Sequence, residues 1–131
     1  MAERKRFSVR VYYEDTDFSG NVYHANYLKY CERARSDYLR VMGVDQNAMF
    51  AAGDAFVVRR MNCEFLRPAK FEDVLEVETQ LIEMSGARFE LAQAVMRGQE
   101  TLFSASVTVA IVDKAGRPKR ISGEQAAALS R

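Results

Sequence analysis

The chain has 131 residues, 48% of them hydrophobic, with 19 basic and 18 acidic side chains and a formal charge of +1. That length predicts one domain spanning 1–131, and the near-neutral balance excludes both the basic field of a nucleic-acid binder and an acidic tail. Cys31 and Cys63 have neither C-x-x-C spacing nor the density of a disulfide scaffold, so a reducing cytoplasm is the simplest setting.

The basic start "MAERKRFSV" lacks the apolar core of a secretory signal. In "FSVRVYYE" (7–14), Phe7, Val9, Val11 and Tyr13 alternate with Ser8, Arg10 and Tyr12, the period of a half-buried strand. An acidic cluster ends it. From about 22 to 42, Tyr27, Leu28, Cys31, Ala34, Tyr38, Leu39 and Met42 recur three or four apart, which predicts one apolar face of a long helix. Gly43 then stands where a left-handed C-terminal cap belongs.

The stretch "VDQNAMFAAGD" is less regular. After it come four strand-like segments, "AFVVRRMNCEFL", "DVLEVETQLIEM", "ARFELAQAVMR" and "ETLFSASVTVAIVD". The breaks "RPAKFE", "SG" and "GQ" hold Pro68, Gly86 and Gly98, and are short enough to join antiparallel neighbours. In "SGEQAAALS", Ser122 with Gln125 three residues on is a capping box for a terminal helical turn or two. No segment approaches the ~18 apolar residues of a membrane-spanning helix. Peripheral contact with a membrane stays open. The elements add up to an α+β domain in which a curved antiparallel sheet wraps around one long α-helix. Its other face and its edges invite a second subunit.

The chain has no G-x-x-x-x-G-K-[ST], no G-x-G-x-x-G after a strand and no G-x-S-x-G, and its one histidine leaves little for a Ser/His pair. Cys31 falls on the apolar helix face and reads as core. His24 has no second histidine, so no metal is expected. What remains is Asp15, Asp17, Gly20, His24 and the first turn of the helix. Unpaired N–H groups at a helix start favour negative charge, which is where the carbonyl oxygen of an acyl group under attack would place it. A carboxylate just upstream could attack that carbonyl or activate water. From the stretch alone, Asp17 reads equally as a cap or turn residue and as a catalytic group. Asp15 reads as a turn residue, and the His24 side chain as bonded to backbone or solvent, or as an acid/base.

The run "YYEDTDFSGNVYHANYLKYCERAR" closely resembles the opening signature of hotdog-fold acyl-CoA thioesterases of the 4-hydroxybenzoyl-CoA thioesterase type. Within these it is most similar to the thioesterases associated with the Tol-Pal system. The likeness continues through "FVVRRMNCEFLRPAKFEDVLEVET" and, more loosely, "VDKAGRPKR". The resemblance implies the hotdog fold, dimers with active sites at the subunit interface, and often tetramers. It implies Asp17 as nucleophile or general base and the backbone N–H of His24 as the donor to the thioester carbonyl. Gly20, Val22, Tyr23 and Tyr27 then lie on the substrate side. Arg88, Arg117, Lys119 and Arg120 are candidates for the phosphates of coenzyme A.

The function that follows is hydrolysis of acyl-CoA to a carboxylic acid and free coenzyme A, with no metal or organic cofactor. The acyl group is left open, from short aliphatic to aromatic to long-chain. Acyl carrier protein and enzymes of phospholipid synthesis are the further partners implied, in the cytoplasm beside the inner membrane. Two alternatives stand: a hotdog hydratase or dehydratase on acyl thioesters, and a non-catalytic acyl-CoA-binding or scaffold protein.

Overall fold

The structure, a computed structural model, describes residues 3–130. Strand β1 (Lys5–Arg10) is followed by a single 3-10 turn (Tyr13–Asp15) and the long helix α1 (His24–Val41). After them come α2 (Gln46–Ala51), β2 (Ala55–Phe65), β3 (Val74–Ser85), β4 (Arg88–Arg97), β5 (Glu100–Val112) and α3 (Gly123–Leu129). The strands form one antiparallel sheet in the order β1-β3-β4-β5-β2.

Alternation decides which face of that sheet is apolar. Leu75, Val77 and Leu81 of β3, Phe89, Leu91 and Val95 of β4, and Phe103, Val107 and Val109 of β5 are buried in one cluster with Tyr27, Tyr30, Cys31, Ala34, Tyr38 and Leu39 of α1. The intervening residues, such as Glu76, Glu90 and Ser106, stay on the outer face. Gln93 is buried in the core with Thr79: its amide donates to the Cys31 carbonyl and to Thr79 Oγ1, each at 3.0 Å, and accepts from Arg35 at 2.9 Å. The middle of α1 is thereby fastened to β3 and β4. Each of these buried polar groups has a partner, without which its burial would cost about 1–3 kcal/mol.

The ends of α1 follow from local chemistry. Gly43 takes φ +89°, donating to the Arg40 carbonyl at 3.0 Å while Val44 N–H reaches Leu39 at 2.9 Å, the paired bonds of a Schellman ending. The helix opens at His24 rather than 22, because Val22 is held in a bridge to Thr16 and Tyr23 is still extended at ψ 132°. On the helix, Leu28 is exposed at 36%, and Tyr30 and Asn26 occupy the buried stripe that the spacing assigned to it.

Three further expectations are corrected. The first strand stops at Arg10, and Tyr13 is 80% exposed, because Asp15 draws the Tyr12 N–H back at 2.8 Å and curls the chain into the 3-10 turn. The irregular stretch after α1 contains α2, whose Ala48 N–H is capped by Asp45 at 3.0 Å. The "RPAKFE" break does not join neighbours: β2 pairs with β5 and β3 with β1 and β4, so residues 66–73 cross from one part of the sheet to another. The hairpins through Gly86 and Gly98 form as expected, and Ser122 and Gln125 make the reciprocal bonds of the capping box.

Candidate active site

Residues 15–22 fold into a small closed loop just before α1. Asp17 N–H bonds the Asn21 carbonyl and Gly20 N–H bonds the Asp17 carbonyl, both at 2.9 Å, and Thr16 bridges to Val22. Gly20 takes φ +86°, a conformation an L side chain would strain. Nothing stands within 4 Å of a Cβ built there, so backbone conformation rather than space selects the glycine.

The loop presents the Asp17 carboxylate to solvent. Its Oδ1 accepts from Ser19 N–H at 2.8 Å and from Ser19 Oγ at 2.5 Å. Those bonds, the hydroxyl first and the backbone second, hold the carboxyl below the usual carboxylate value, with the nearby His24 ring adding the least. Asp17 is therefore a turn residue by one oxygen. It caps no helix, and its Oδ2 makes no hydrogen bond among the described residues.

Helix α1 opens with no side-chain cap. Tyr23 is its N-cap by position only, and the His24 and Ala25 N–H groups find no acceptor among the described residues. The positive end of an 18-residue helix is left bare beside a carboxylate. Asp15 sets this geometry: its carbonyl accepts Tyr23 N–H at 2.9 Å and Asn26 Nδ2 at 2.8 Å, so the turn and the first helical residues share one anchor.

A cavity of about 330 Å³ joins these parts. Asp17, Ser19, Asn21, Val22, His24 and Tyr27 line one side, and Phe65, Leu66, Arg67 and Pro68 the other. Its floor is aromatic: Tyr27 stacks on Phe103 at 5.2 Å, and Phe65 meets both rings edge-on. The far wall belongs to the 66–73 crossing. Leu102, the extra residue of a bulge in β5, accepts both Leu66 N–H and Arg67 N–H, and buried Ala69 gives its N–H to Tyr27 Oη at 2.9 Å.

Of the residues singled out in the sequence, Asp17, Val22, His24 and Tyr27 meet at this cavity, and Gly20 shapes its turn. Tyr23 stays outside, its ring tilted against His24 at 4.6 Å. Arg88, Arg117, Lys119 and Arg120 lie at the opposite end of the sheet, where β5 runs past Ala55 and Phe56. Arg117 is paired with Asp113 at 3.2 Å and Lys119 with Asp54 at 2.8 Å.

Ser19, Asn26 and the 65–69 wall were not read from the sequence. A serine two residues after an aspartate is the signal for the first. An asparagine on the buried stripe of a first helical turn is the signal for the second. The wall has none, because β5 builds it from far along the chain. Burial pushes the Cys31 thiol up to about 12, consistent with a core residue. Among the described residues no three His, Cys, Asp or Glu side chains are grouped as metal ligands would be.

Comparison with known proteins places this geometry in a group. The profile of the thioesterase-like superfamily matches residues 11–129. The acyl-CoA thioester hydrolase YbgC of Escherichia coli O6:H1 is 44% identical over 109 residues, covering 82% of this chain and 81% of that one. The acyl-CoA thioesterase YbgC of Haemophilus influenzae is 45% identical over 108 residues, covering 82% and 79%. Among solved structures, a probable thioesterase from Bartonella henselae superposes with a TM-score of 0.87 at 39% identity, over 92% of this chain and 100% of that one.

Proposed function

The chain belongs to the thioesterase-like superfamily, and from that premise we propose its reaction and its machinery. It is an acyl-CoA thioester hydrolase: water and an acyl-CoA give a carboxylic acid and free coenzyme A. The observation that carries the mechanism is the pairing, in one cavity, of the Asp17 carboxylate with the uncapped start of α1. The thioester carbonyl points its oxygen at the His24 N–H, which stabilises the charge that grows there during attack. Asp17 acts on the carbonyl carbon. Ser19 holds only Oδ1, so Oδ2 of the ionised carboxylate is free to attack that carbon, the route taken here in preference to activation of water. Attack expels the coenzyme A thiolate and leaves an acyl-aspartyl anhydride, which water then opens to regenerate the carboxylate.

The working unit in this proposal is a dimer, with tetramers as the larger assembly. Strand β2 is an 11-residue edge strand with one side unpaired. Val57, Val58 and Phe65 are exposed along it, with Leu66 just past its end. Such an edge is a template for a second strand, and a second copy pairing by a two-fold axis satisfies both edges at once. Coenzyme A enters as part of the substrate, so water and the carboxylate suffice without a further cofactor. Among the described residues no helix is long and apolar enough to cross a membrane. A cytoplasmic enzyme beside the inner membrane, linked to the Tol-Pal system and meeting acyl carrier protein or phospholipid-synthesis enzymes, is the setting this reading implies.

The deciding experiment follows thiol release from short-chain, long-chain and benzoyl-type acyl-CoAs by wild type and Asp17→Asn. Wild type turns over some member of the panel, and the variant, folded but without the charge, loses about 100-fold or more in kcat. Binding without turnover by both proteins supports the scaffold alternative, and enoyl or hydroxyacyl products the hydratase. A fully active Asp17→Asn refutes the mechanism.

A further inference from the structure

We infer that the cavity beneath the second half of α1 binds a small apolar carboxylate through Arg35, at a site separate from the Asp17 turn. The cavity measures about 110 Å³ and lies between α1, the start of α2 and the inner face of the sheet. Leu39, Phe56, Phe89, Leu91 and Val109 give it apolar walls, and Arg35 is the one cationic side chain that lines it. It shares no lining residue with the Asp17 cavity. Along α1, Arg35 stands eight residues past Tyr27, about 12 Å at helical rise. Along β2, Val58 stands seven residues before Phe65, about 23 Å at strand rise.

Arg35 is the side chain that a guest would satisfy. Among the described residues, Arg35 and Arg97 are the two arginines that are not exposed. Arg97 lies between two carboxylates, Asp73 and Glu100, at 2.8 Å each. Arg35 has neither: its Nη1 donates to Gln93 Oε1 at 2.9 Å, its one hydrogen bond among the described residues. Burial pulls its pKa below the ordinary guanidinium value, and the nearness of Cys31 and Glu32 offsets this only in part. Glu32 does not act as its partner, since that carboxylate accepts Ser36 Oγ at 3.2 Å and forms no ion pair with Arg35 among the described residues.

A charge taken out of water is ordinarily kept with one of opposite sign, and a guanidinium has five N–H donors in a fork that matches a carboxylate. The walls select the rest of the ligand. They offer nothing to the hydration shell of an inorganic ion, whereas an apolar tail fits against Leu39, Phe89 and Val109. The volume is about four times the roughly 30 Å³ share of one water, room for a short branched chain or a single aromatic ring but not for a long acyl tail. An acid released by the proposed hydrolysis has this chemistry. Only that link between ligand and product rests on the hydrolase reading above.

Titration calorimetry of the full chain with benzoate, and with isobutyrate in parallel, tests the site directly. Wild type binds in the millimolar range or tighter, and binds benzamide, which has the shape without the charge, about tenfold or more weakly. Arg35→Met keeps the stem, removes the donors and loses about tenfold or more in affinity for benzoate. Gln46→Trp, at an exposed lining residue, obstructs the cavity with Arg35 in place and loses a similar amount, so the test survives if Arg35→Met fails to fold. Prior saturation with a nonhydrolysable acyl-CoA thioether leaves the benzoate affinity unchanged. Displacement of benzoate by the thioether, equal binding of benzamide, unchanged affinity in either folded variant, or no binding by wild type overturns the inference. A wild type that binds benzoate but hydrolyses no acyl thioester keeps this site and overturns the hydrolase reading instead.

Discussion

Ser19 supplies both hydrogen bonds that favour the ionised form of Asp17. Ser19→Ala removes the hydroxyl, the larger contribution, and keeps the backbone donor, so the Asp17 pKa rises toward the usual carboxylate value. On the proposed mechanism the acid limb of kcat/KM marks protonation of Asp17 in the free enzyme, and it accordingly moves to higher pH in the variant. A pH-rate profile from pH 3 to 7 checks this, and an unmoved limb refutes the assignment. The same bonds contribute to folding with a defined sign. A folded-state pKa below the unfolded one adds stability above the unfolded value that is lost as pH falls through the folded one, and full solvent exposure keeps the effect small. Asp17 and the His24 N–H were legible because the motif fixes their spacing to the start of α1. The hold of Ser19 depends on which carboxylate oxygen turns inward, which spacing does not encode.

Among the elements, the 66–73 crossing does the most for the site, and Arg97 ties it down. One guanidinium nitrogen bonds Asp73 at 2.8 Å and the Pro68 carbonyl at 3.3 Å, and the other bonds Glu100 at 2.8 Å. Between those anchors Glu72 takes φ +73°, while Ala69 holds Tyr27 with its N–H and Val22 with its carbonyl. On the proposed mechanism Arg97 is therefore a positioning residue that acts on the Asp17 turn through Ala69. Arg97→Ala lowers kcat by on the order of 10- to 100-fold. Its Tm moves little, because pairs exposed to this degree contribute modestly to stability. Steady-state kinetics beside a thermal melt separates the two effects, and a large Tm loss with kcat intact reverses the assignment. The α1 face, β3 to β5 and the Ser122 capping box were readable because each pattern lies within a dozen residues. The path of the crossing was not, since a short break looks the same whether or not its flanking strands pair.

At the scale of the whole molecule, the exposed β2 edge is the surface through which the proposed dimer would form. Val57 and Val58 are 39% and 48% exposed, so Val57→Glu with Val58→Glu leaves the fold of a single chain intact while setting like charges against each other across the proposed two-fold seam. Sedimentation then shows the dimer replaced by monomer, with acyl-CoA hydrolysis lost in parallel. A monomeric variant with full activity would mean each chain works alone. Dimerisation was expected from the sequence, but which strands would be left at the sheet edges was not, because the β1-β3-β4-β5-β2 order emerges only when the strands pair.

That order also sets a timetable for folding. Strand β2 precedes β3 and β4 in the chain, yet its hydrogen-bonding partner is the last strand, Ala55 meeting Val112 and Phe65 meeting Phe103. During synthesis β2 waits with both sides open until β5 has been made, carrying the apolar residues that later wall the cavity. Such long-range pairing makes for slow folding, and an unpaired strand is open to capture by a neighbouring chain. Refolding yield should therefore fall with protein concentration, since the edge strand proposed to pair with a second copy is also the one left without a partner longest.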